Sequence, residues 1–374
     1  EVRPPQGAQA TAVLEALNSS SKKVSIGKRA ALRVAVLGAT GYAGVELLRI
    51  LIRHPHVRLT VITSQQYAGK RVSEIYPSLA GQCDLVLEEI RIDKIASQAE
   101  IAFAALPHET SMEVVAGLVQ QGKRVIDLSA DFRLHDPETY GHWYRAHKAP
   151  HLLRDAVYGL TEIHRREIGK ARLIANPGCY PTGAVLGLAP LFAEKIVQGT
   201  VLIDAKSGVT GAGRSSAVEL SFSEVNENFK AYNVGVHRHT PEIEQELSQI
   251  AKKPVTVCFA PHLVPMSRGI LSTIYVELKK TLDDEKLFQL YKGFYRADPF
   301  IRILPAGSFP QTKEVRGSND CAIGFRYDSR VKRLVVITAI DNLVKGAAGQ
   351  AVQNMNLMYG WPEAEGLTGT ALIP

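Results

Sequence analysis

A short apolar segment that runs into a glycine-rich loop constrains the fold of this chain more than any other stretch. Residues 32–37 have the composition of a buried strand, Gly38-Ala-Thr-Gly41-Tyr-Ala-Gly44 follows directly, and residues 45–53 form an amphipathic helical pattern. Glycines let a backbone approach a pyrophosphate closely, and a helix N-terminus attracts it. The segment therefore predicts the start of a dinucleotide-binding fold. The alternative is a turn that only packs a helix on a sheet, because the spacing differs from the usual Gly-x-Gly-x-x-Gly.

The end of the next predicted strand, residues 58–63, indicates which dinucleotide is bound. An NAD-selective site usually carries an acid there that binds the ribose hydroxyls. This chain has Ser64 instead, and Lys70 and Arg71 come shortly after. We therefore predict NADP(H), with its 2′-phosphate bound by Ser64 and by a nearby cation such as Arg71, although both cations are equally compatible with a solvated surface. The predicted contacts in the glycine loop are Gly38, Thr40, Gly41, Tyr42, Ala43 and Gly44.

Strand and helix patterns continue to alternate after this point. Residues 101–106 and 124–129 have strand composition, with a helical pattern over residues 110–121 between them. This alternation is typical of a parallel, doubly wound sheet. Pro107 and Ser129 stand at the carboxyl ends of these strands, where such sheets bind ligands, so we predict that both contact the cofactor.

The second half of the chain has a different pattern. Residues 200–206, 255–260, 270–278, 321–327 and 333–340 are predicted strands, with a helix over residues 283–296. Residues 270–278 alternate in polarity, which predicts a mixed or antiparallel sheet exposed on one face or used for dimer packing. A helix rich in small residues is predicted over residues 341–356. The fold class is therefore α/β, a Rossmann-type doubly wound domain plus an α+β domain.

The sequence Asn176-Pro-Gly-Cys179-Tyr-Pro-Thr182 places a cysteine at the mouth of a predicted helix. Asn176-Pro-Gly is a tight turn, and Pro181 suits the first helical position. Free backbone N–H groups and the helix dipole should lower the pKa of Cys179 and should bind an oxyanion. This arrangement predicts a nucleophilic thiolate. The alternative is a small buried cysteine in a turn.

Two further motifs carry polar or charged side chains that could bind a substrate or take part in catalysis. Thr240 in His237-Arg-His-Thr-Pro-Glu242 is a predicted helix N-cap, and a histidine before it suits acid/base chemistry with Cys179. A zinc site and a structural histidine are the alternatives. The zinc site is disfavoured, because two histidines without a third ligand make a poor metal site. The loop Ser207-Gly-Val-Thr-Gly-Ala-Gly-Arg214 either presents N–H groups and Arg214 to an anionic substrate or is a flexible connection. Other histidines are interpreted as loop and surface residues: His135, His142, His147, His151 and His164.

Composition limits the function classes. The 374 residues suffice for two domains, and no apolar run approaches a membrane span. The net charge of +7 is scattered, without the basic stripe of a nucleic-acid binder, and suits anionic small molecules equally well. The four cysteines lie far apart, which argues against a disulfide framework or a structural zinc site.

Residues 1–31 are rich in Ala, Ser, Gln and Lys with only two acids, as in an organelle transit peptide or a disordered tail.

Taken together, these blocks resemble the N-acetyl-γ-glutamyl-phosphate reductases of arginine biosynthesis, in order, over residues 32–374. The similarity is carried by the glycine loop, the two motifs around Cys179 and His237, the loop that ends at Arg214, and Asp341-Asn-Leu-Val-Lys-Gly346. The resemblance implies an NADP-dependent enzyme similar to aspartate-semialdehyde dehydrogenase. Its NADP-binding domain would comprise residues 32–180 and 341–374, and its catalytic and oligomerisation domain residues 181–340.

The resemblance also implies residue roles. Cys179 would be the nucleophile and His237 the acid/base, with Glu242 supporting catalysis, while Asn342 would lie near the nicotinamide. The predicted substrate contacts are Asn176, Ser207, Gly208, Arg214 and His239. An acyl phosphate would be converted by Cys179 to a thioester, which accepts hydride from NADPH more readily than a carboxylate does. The expected partners are this substrate, inorganic phosphate and further copies of the chain, as a homodimer or homotetramer.

Other hypotheses remain open at this point. The chain is also compatible with an aspartate-semialdehyde dehydrogenase-like enzyme acting on another acyl phosphate, or with a non-catalytic NADP-binding redox sensor. The basic leader favours a plastid stroma, whereas the body of the chain fits a bacterial cytoplasm equally well.

Overall fold

A computed structural model of the chain describes residues 30–214 and 217–373. Residues 1–29 lie outside the described part, so the predictions for the leader stay predictions. Among the helices within the described ranges, none combines the length and apolar character that crossing a membrane requires.

Seven parallel strands form the first sheet. They are β1 Leu32–Leu37, β2 Val57–Thr63, β3 Leu87–Glu88, β4 Ile101–Ala104, β5 Arg124–Asp127, β6 Val157–Tyr158 and β7 Leu173–Ala175. Their order is β3-β2-β1-β4-β5-β7-β6, and all neighbours pair in parallel. In β1, Val34 and Val36 join one buried apolar cluster while Ala35 and Leu37 join another. Since successive side chains of a strand point to opposite faces, both faces of this sheet are covered, as parallel sheets require.

Helices cover the two sheets. The α-helices of the described residues are α1 Tyr42–Leu51, α2 Val72–Ile75, α3 Ile92–Gln98, α4 Thr110–Gln120, α5 Pro137–Trp143, α6 Thr161–Ile168, α7 Cys179–Ala193, α8 Phe222–Val225, α9 Thr240–Ala251, α10 Asp284–Phe294 and α11 Gly349–Met358. Single turns of 3₁₀-helix occur at Pro77–Leu79, Pro150–Leu152, Val209–Ala212, Val218–Leu220 and Thr312–Glu314, and Val344–Ala348 is a π-helix.

The second sheet is mixed. Its strands are β8 Val197–Gly208, β9 Lys230–Ala231, β10 Val257–Val264, β11 Ile270–Leu278, β12 Ile301–Ile303, β13 Cys321–Asp328 and β14 Arg333–Ile340, in the order β12-β13-β14-β11-β8-β10-β9. The β8–β10 and β12–β13 pairs are parallel and the others antiparallel. Ile270, Ile274 and Val276 of β11 face a core shared with α7, α9 and α10, whereas Tyr275 is exposed. The predicted α/β fold with a doubly wound sheet and a second, mixed sheet is therefore confirmed.

The chain returns to the first sheet at its C-terminal end. Helix α11 packs against α1, α6 and β5. Asn356 Oδ1 is 2.9 Å from His54 Nε2, and Arg124 donates a hydrogen bond to the carbonyl of Met358. The predicted helix over residues 341–356 was placed too early, because residues 341–343 form a turn and the π-helix starts at Val344. The domain boundaries proposed from the sequence stay a prediction.

Three of the histidines interpreted as loop or surface residues, His135, His147 and His164, are partly buried, and the rings of the last two have polar partners. His147 Nε2 lies 2.8 Å from the carbonyl oxygen of Asp131, and its ring packs edge-on against Tyr140. His164 Nε2 lies 2.6 Å from a carboxylate oxygen of Glu246. The surface interpretation is wrong for both, because each ring has a polar partner that makes its burial favourable.

Candidate active site

The glycine loop lies at the carboxyl end of β1, in the place where parallel sheets bind nucleotides. Gly38 has a φ of +76°, and a Cβ there would clash with the carbonyl oxygen of Ala105. The backbone N–H of Gly38 donates to Thr63 Oγ1 at 3.2 Å, and that of Ala39 donates to the carbonyl of Thr63 at 2.9 Å. These contacts fix the loop against the end of β2, so that it borders an open cleft rather than filling it.

Two adjoining cavities form this cleft. The first, of about 640 Å³, runs from the glycine loop and Ser64 to Asn342 and Cys179. The second, of about 970 Å³, is lined by Cys179, His237 and His239. Cys179 and His239 border both cavities. The thiol therefore lies where a molecule in one cavity meets a molecule in the other.

Cys179 is the first residue of α7, and Gly178 is its N-cap. The helix was predicted to begin at Pro181, but it begins two residues earlier, which brings the thiol onto the helix end itself. Burial raises the pKa of this thiol to about 11, while the charge of Arg133 and the backbone N–H of Tyr180 act in the opposite direction. The predicted lowering of the pKa is therefore wrong for this structure, because burial outweighs the charge of Arg133 and the backbone N–H groups.

The turn that presents Cys179 is held by a buried carboxylate. Glu242 Oε1 accepts hydrogen bonds from the backbone N–H of Gly178 and from the hydroxyl of Tyr158, both at 2.7 Å. Its other oxygen lies 3.4 Å from Arg133 Nη1. Arg133 also donates to the carbonyls of Asn176 and Leu128, at 2.8 and 2.9 Å. These charges are almost fully buried, so their hydrogen bonds position the turn rigidly.

The two histidines before α9 stand beside this turn. Their ring centroids are 4.8 Å apart, and each packs edge-on against Tyr180. The backbone N–H of His239 donates to His237 Nδ1 at 3.1 Å, so the proton of a neutral His237 is on Nε2. Burial lowers the pKa of His237 to about 4 and that of His239 well below its usual value. Both imidazoles are therefore neutral near pH 7.

Comparison with known proteins agrees with this geometry. The family described as semialdehyde dehydrogenase, NAD binding domain, matches residues 33–171, and that described as semialdehyde dehydrogenase, dimerisation domain, matches residues 179–342. N-acetyl-gamma-glutamyl-phosphate reductase of Geobacter metallireducens is 56% identical over 345 residues, which cover 92% of this chain and all of the relative. The enzyme of that name from Pelotomaculum thermopropionicum is 54% identical over 346 residues, with the same coverage. The chain belongs to the N-acetyl-gamma-glutamyl-phosphate reductase family.

More distant solved structures share the fold of this reductase family member. Aspartate semialdehyde dehydrogenase II of Vibrio cholerae has a TM-score of 0.68 at 20% identity, covering 88% of this chain and 98% of that one. Aspartate semialdehyde dehydrogenase of Candida albicans, solved with NADP, has a TM-score of 0.64 at 17% identity, with the same coverage. The family assignment and the shared fold confirm the resemblance seen in the sequence, and they confirm the predicted cofactor as a nicotinamide dinucleotide.

The structure brings most of the predicted site residues of this reductase family member to the cleft. Those on the first cavity are Gly38, Thr40, Gly41, Tyr42, Ala43, Gly44, Ser64, Pro107, Cys179, Arg214, His239 and Asn342. Those on the second cavity are Pro107, Ser129, Cys179, Ser207, His237 and His239. Their roles as cofactor or substrate contacts stay predictions, now with a position for each.

Four predicted site residues line neither cavity. Glu242 and Asn176 lie beneath the turn, where Asn176 Nδ2 donates to the carbonyl of Ala347 at 3.1 Å, so both support the site from behind. Arg71 extends along the surface, with its Nη1 3.4 Å from the carbonyl of Asp84. Gly208 is buried at the end of β8. Thr240, predicted as a helix cap, is instead the first residue of α9, and its N-cap is His239.

Sequence reasoning missed the cations that line the second cavity. Arg133 borders both cavities, and Arg238 lies over the ring of Tyr144 at 4.9 Å in the second. A usable signal existed for Arg133, which follows β5 in Asp127-Leu-Ser-Ala-Asp-Phe-Arg133, at the carboxyl edge where ligands bind. Nothing local identifies Arg238, because its stacking on Tyr144 joins segments far apart in the sequence.

Proposed function

We propose that this chain reduces N-acetyl-γ-glutamyl phosphate to N-acetylglutamate semialdehyde with NADPH, through a thioester on Cys179. The observation that supports the proposal is the position of Cys179 on both cavities, one beside the glycine loop and one beside two histidines. The related reductases, at 51–56% identity over nearly the whole chain, share the name of this activity.

The first cavity suits an NADP cofactor. Its wall is the backbone of the loop after β1, whose glycines leave room for a pyrophosphate. Within the described residues, no Asp or Glu lines this cavity, and the segment after β2 is Ser64-Gln65-Gln66. A phosphorylated ribose therefore meets hydroxyl and amide groups there. When bound, the reduced nicotinamide supplies the hydride that converts the thioester to an aldehyde.

The second cavity suits an acidic substrate. Its lining combines Arg133, Arg238 and His108 with the hydroxyl groups of Tyr144 and Tyr232. An N-acetyl-γ-glutamyl phosphate carries a carboxylate and a phosphoryl group, so cations in a partly enclosed cavity favour its binding. A bound anion beside His237 and His239 also raises their pKa, which makes each imidazole a better proton acceptor.

The residues around Cys179 can then perform acyl transfer. One imidazole of the histidine pair takes the thiol proton, and the sulfur bonds to the acyl carbon as the carbon–oxygen bond to phosphate breaks. The backbone N–H groups of Cys179 and Tyr180 precede the first helical hydrogen bonds of α7, so they are available as donors to the oxyanion that forms on the acyl carbon. After reduction the carbon–sulfur bond breaks, and the imidazolium returns its proton to the sulfur.

Mass spectrometry of the thioester tests the proposal. The reverse reaction is run without phosphate, with N-acetylglutamate semialdehyde and NADP⁺, so that the acyl group stays on the enzyme. We expect one equivalent of N-acetylglutamyl group on the peptide that contains Cys179, its release by added phosphate, and no comparable adduct with aspartate semialdehyde. An adduct on another residue, or NADPH formation without any adduct, contradicts the proposed mechanism, and equal labelling by both aldehydes contradicts the substrate.

We also propose that the protein works as a homo-oligomer. Between residues 217 and 236 the chain is mostly exposed, and it carries apolar side chains with more than half of their surface in solvent: Val218, Phe222, Phe229, Val234 and Val236. Such a patch marks an interface, and this segment lies in the stretch matched by the dimerisation domain. Val236 also lines the second cavity, which a second copy would therefore help to enclose.

Sedimentation equilibrium tests this assembly. The variant with Phe222→Ser and Phe229→Ser should dissociate, whereas Val331→Ser, at an exposed apolar residue of the β13–β14 turn, should not. A wild-type protein that is monomeric at micromolar concentration contradicts the proposal.

For the compartment, we propose that the basic leader directs import into a plastid stroma. Residues 1–31 contain only two acids, Glu1 and Glu15, beside the five cations Arg3, Lys22, Lys23, Lys28 and Arg29. Fusion of this segment to a fluorescent protein and incubation with isolated chloroplasts tests the proposal, and a fusion protein that stays outside contradicts it.

A further inference from the structure

We infer that Arg214, which belongs to the loop after β8, binds the 2′-phosphate of NADPH and sets the preference for NADPH over NADH. The inference deepens the proposed function, since it concerns the cofactor of that reaction. It replaces two sequence-based expectations, namely that Arg214 contacts the substrate and that Arg71 or Lys70 binds this phosphate.

Arg214 reaches across to the cofactor loop of the first sheet. Its Nη1 donates to the carbonyl of Thr40 at 3.1 Å and to the hydroxyl of Tyr76 at 3.0 Å. The hydroxyl of Tyr76 donates in turn to the same carbonyl at 2.7 Å. The guanidinium carbon lies 5.7 Å from the ring centre of Tyr67 and 5.6 Å from that of Tyr76. Two aromatic rings and two hydrogen bonds thus fix the cation at the rim of the first cavity.

The position of this cation matches that of a ribose phosphate. Thr40 Oγ1 is 2.8 Å from Ser64 Oγ, and Ser64 directly follows β2. In dinucleotide folds the residue at the end of this strand lies beside the ribose 2′-position. Thr40, Ser64 and Arg214 all line the same cavity, so a phosphate there has two hydroxyl groups and one guanidinium around it.

The guanidinium still has donors to offer. Both of its hydrogen bonds come from Nη1, and within the described part of the chain Nη2 and Nε make none. A guanidinium presents its donors as a planar fork that matches two oxygens of one phosphate. The bonds to Thr40 and Tyr76 therefore orient the guanidinium and leave Nη2 and Nε as donors for a phosphate.

The cations that follow β2 in the sequence, Lys70 and Arg71, do not line the first cavity. Arg71 donates from its backbone N–H to Glu74 and from its side chain to the carbonyl of Asp84, and it is exposed. The backbone N–H and carbonyl of Lys70 bond to Tyr67 and Leu87. Proximity in sequence to β2 does not bring their charges to the ribose.

Calorimetric titration with NADP⁺ and NAD⁺ tests the inference directly. We expect Arg214→Gln to weaken NADP⁺ binding by about 10- to 100-fold, the range for a lost charge-assisted hydrogen bond, and to change NAD⁺ binding less than about twofold. Arg214→Lys should recover part of the loss, since it restores the charge without the fork. Arg91→Gln, at an exposed arginine outside the cavity, is the matched control and should bind both nucleotides as wild type does.

Several results would overturn the inference. Equal weakening of NADP⁺ and NAD⁺ by Arg214→Gln would assign to Arg214 a role in shaping the loop, and an unchanged affinity would remove it from the site. A selective loss of NADP⁺ affinity in Arg71→Gln would return the role to Arg71. Inhibition constants of 2′-AMP and 5′-AMP against NADPH oxidation give an independent measure of the same contact. Because nucleotide binding is measured without turnover, the absence of a thioester on Cys179 would refute the proposed reaction and leave this result standing.

Discussion

The two walls of the cleft are built in different ways. The cofactor wall is local, since the loop after β1 is fixed by the end of β2, the next strand along the chain. The thiol wall is assembled from distant segments: Gly178 is held by Glu242 and Arg133, and Gly346 packs against Cys179 from the π-helix. A nucleotide needs room and backbone N–H groups, which one loop supplies. A reactive thiol needs neighbours of defined charge and position, which require a folded core around them.

The largest expected effect comes from the thiol itself. We expect Cys179→Ser to lower kcat by at least about 10⁴-fold, because a hydroxyl is a far weaker nucleophile at this position. NADP⁺ binding should stay within about twofold, as the cofactor wall is independent of the sulfur. Steady-state kinetics and calorimetry measure both, with Cys258→Ser, at an exposed residue of β10, as control. Loss of NADP⁺ binding in Cys179→Ser would show that the two walls are not separate.

A single methyl group at Gly346, which lines the first cavity beside Cys179, should disturb the thiol wall. A Cβ there would lie 2.8 Å from Cys179 Cβ and 3.2 Å from its Cα, so Cys179 must move. We expect Gly346→Ala to lower kcat by about 100-fold, since small displacements of reacting groups have effects of this size. Gly293→Ala in α10, where a Cβ has no neighbour within 4 Å, is the control and should stabilise the protein by up to about 1 kcal/mol. A Gly346→Ala enzyme with wild-type kcat would contradict the packing described.

Glu242 tests the support beneath the thiol. Glu242→Gln removes the charge opposite Arg133 and replaces one carboxylate oxygen with an N–H₂ donor, so we expect a loss of about 3 kcal/mol in the free energy of unfolding and about a tenfold fall in kcat. Glu244→Gln changes a half-buried carboxylate of the same helix but keeps an oxygen that can accept the hydrogen bond from Val257, so it should change the free energy of unfolding by less than about 1 kcal/mol. Denaturant titration and kinetics check both variants. Similar losses in the two would mean that Glu242 has no special role in the turn.

Titration of the thiol in the free enzyme tests the burial of Cys179 without any substitution. Its pKa is raised to about 11, so the thiolate fraction and the rate of alkylation by iodoacetamide should rise about tenfold for each pH unit between 7 and 10. Peptide mapping after timed alkylation measures this, with the exposed Cys258 as internal reference. A rate for Cys179 that is already maximal at pH 7 would restore the lowered pKa that its place on the helix suggests.

These contrasts explain which features the sequence could predict. The glycine loop, the strand alternation and the turn at Asn176 each follow from residues that are neighbours in the chain, and periodicity identifies them. The raised pKa of Cys179 and the contacts of Glu242 do not follow from neighbours in the chain, because both depend on burial beside distant residues such as Arg133. The direction of the Arg71 side chain, which lies against the carbonyl of Asp84 and does not line the first cavity, could not be predicted for the same reason. The late start of the C-terminal helix has a local cause, as Asp341 accepts hydrogen bonds from the N–H groups of Leu343 and Val344.

The return of α11 to the first sheet has a consequence for biosynthesis. Every strand of that sheet has been translated by residue 175, yet the surface that receives Ala351 and Met355 stays uncovered until residue 358 leaves the ribosome. At the usual 5–20 residues per second, this interval is roughly 10 to 40 s. During that time the nascent nucleotide-binding half leaves the apolar surface beneath α11 exposed, where a chaperone that binds apolar surface can associate with it.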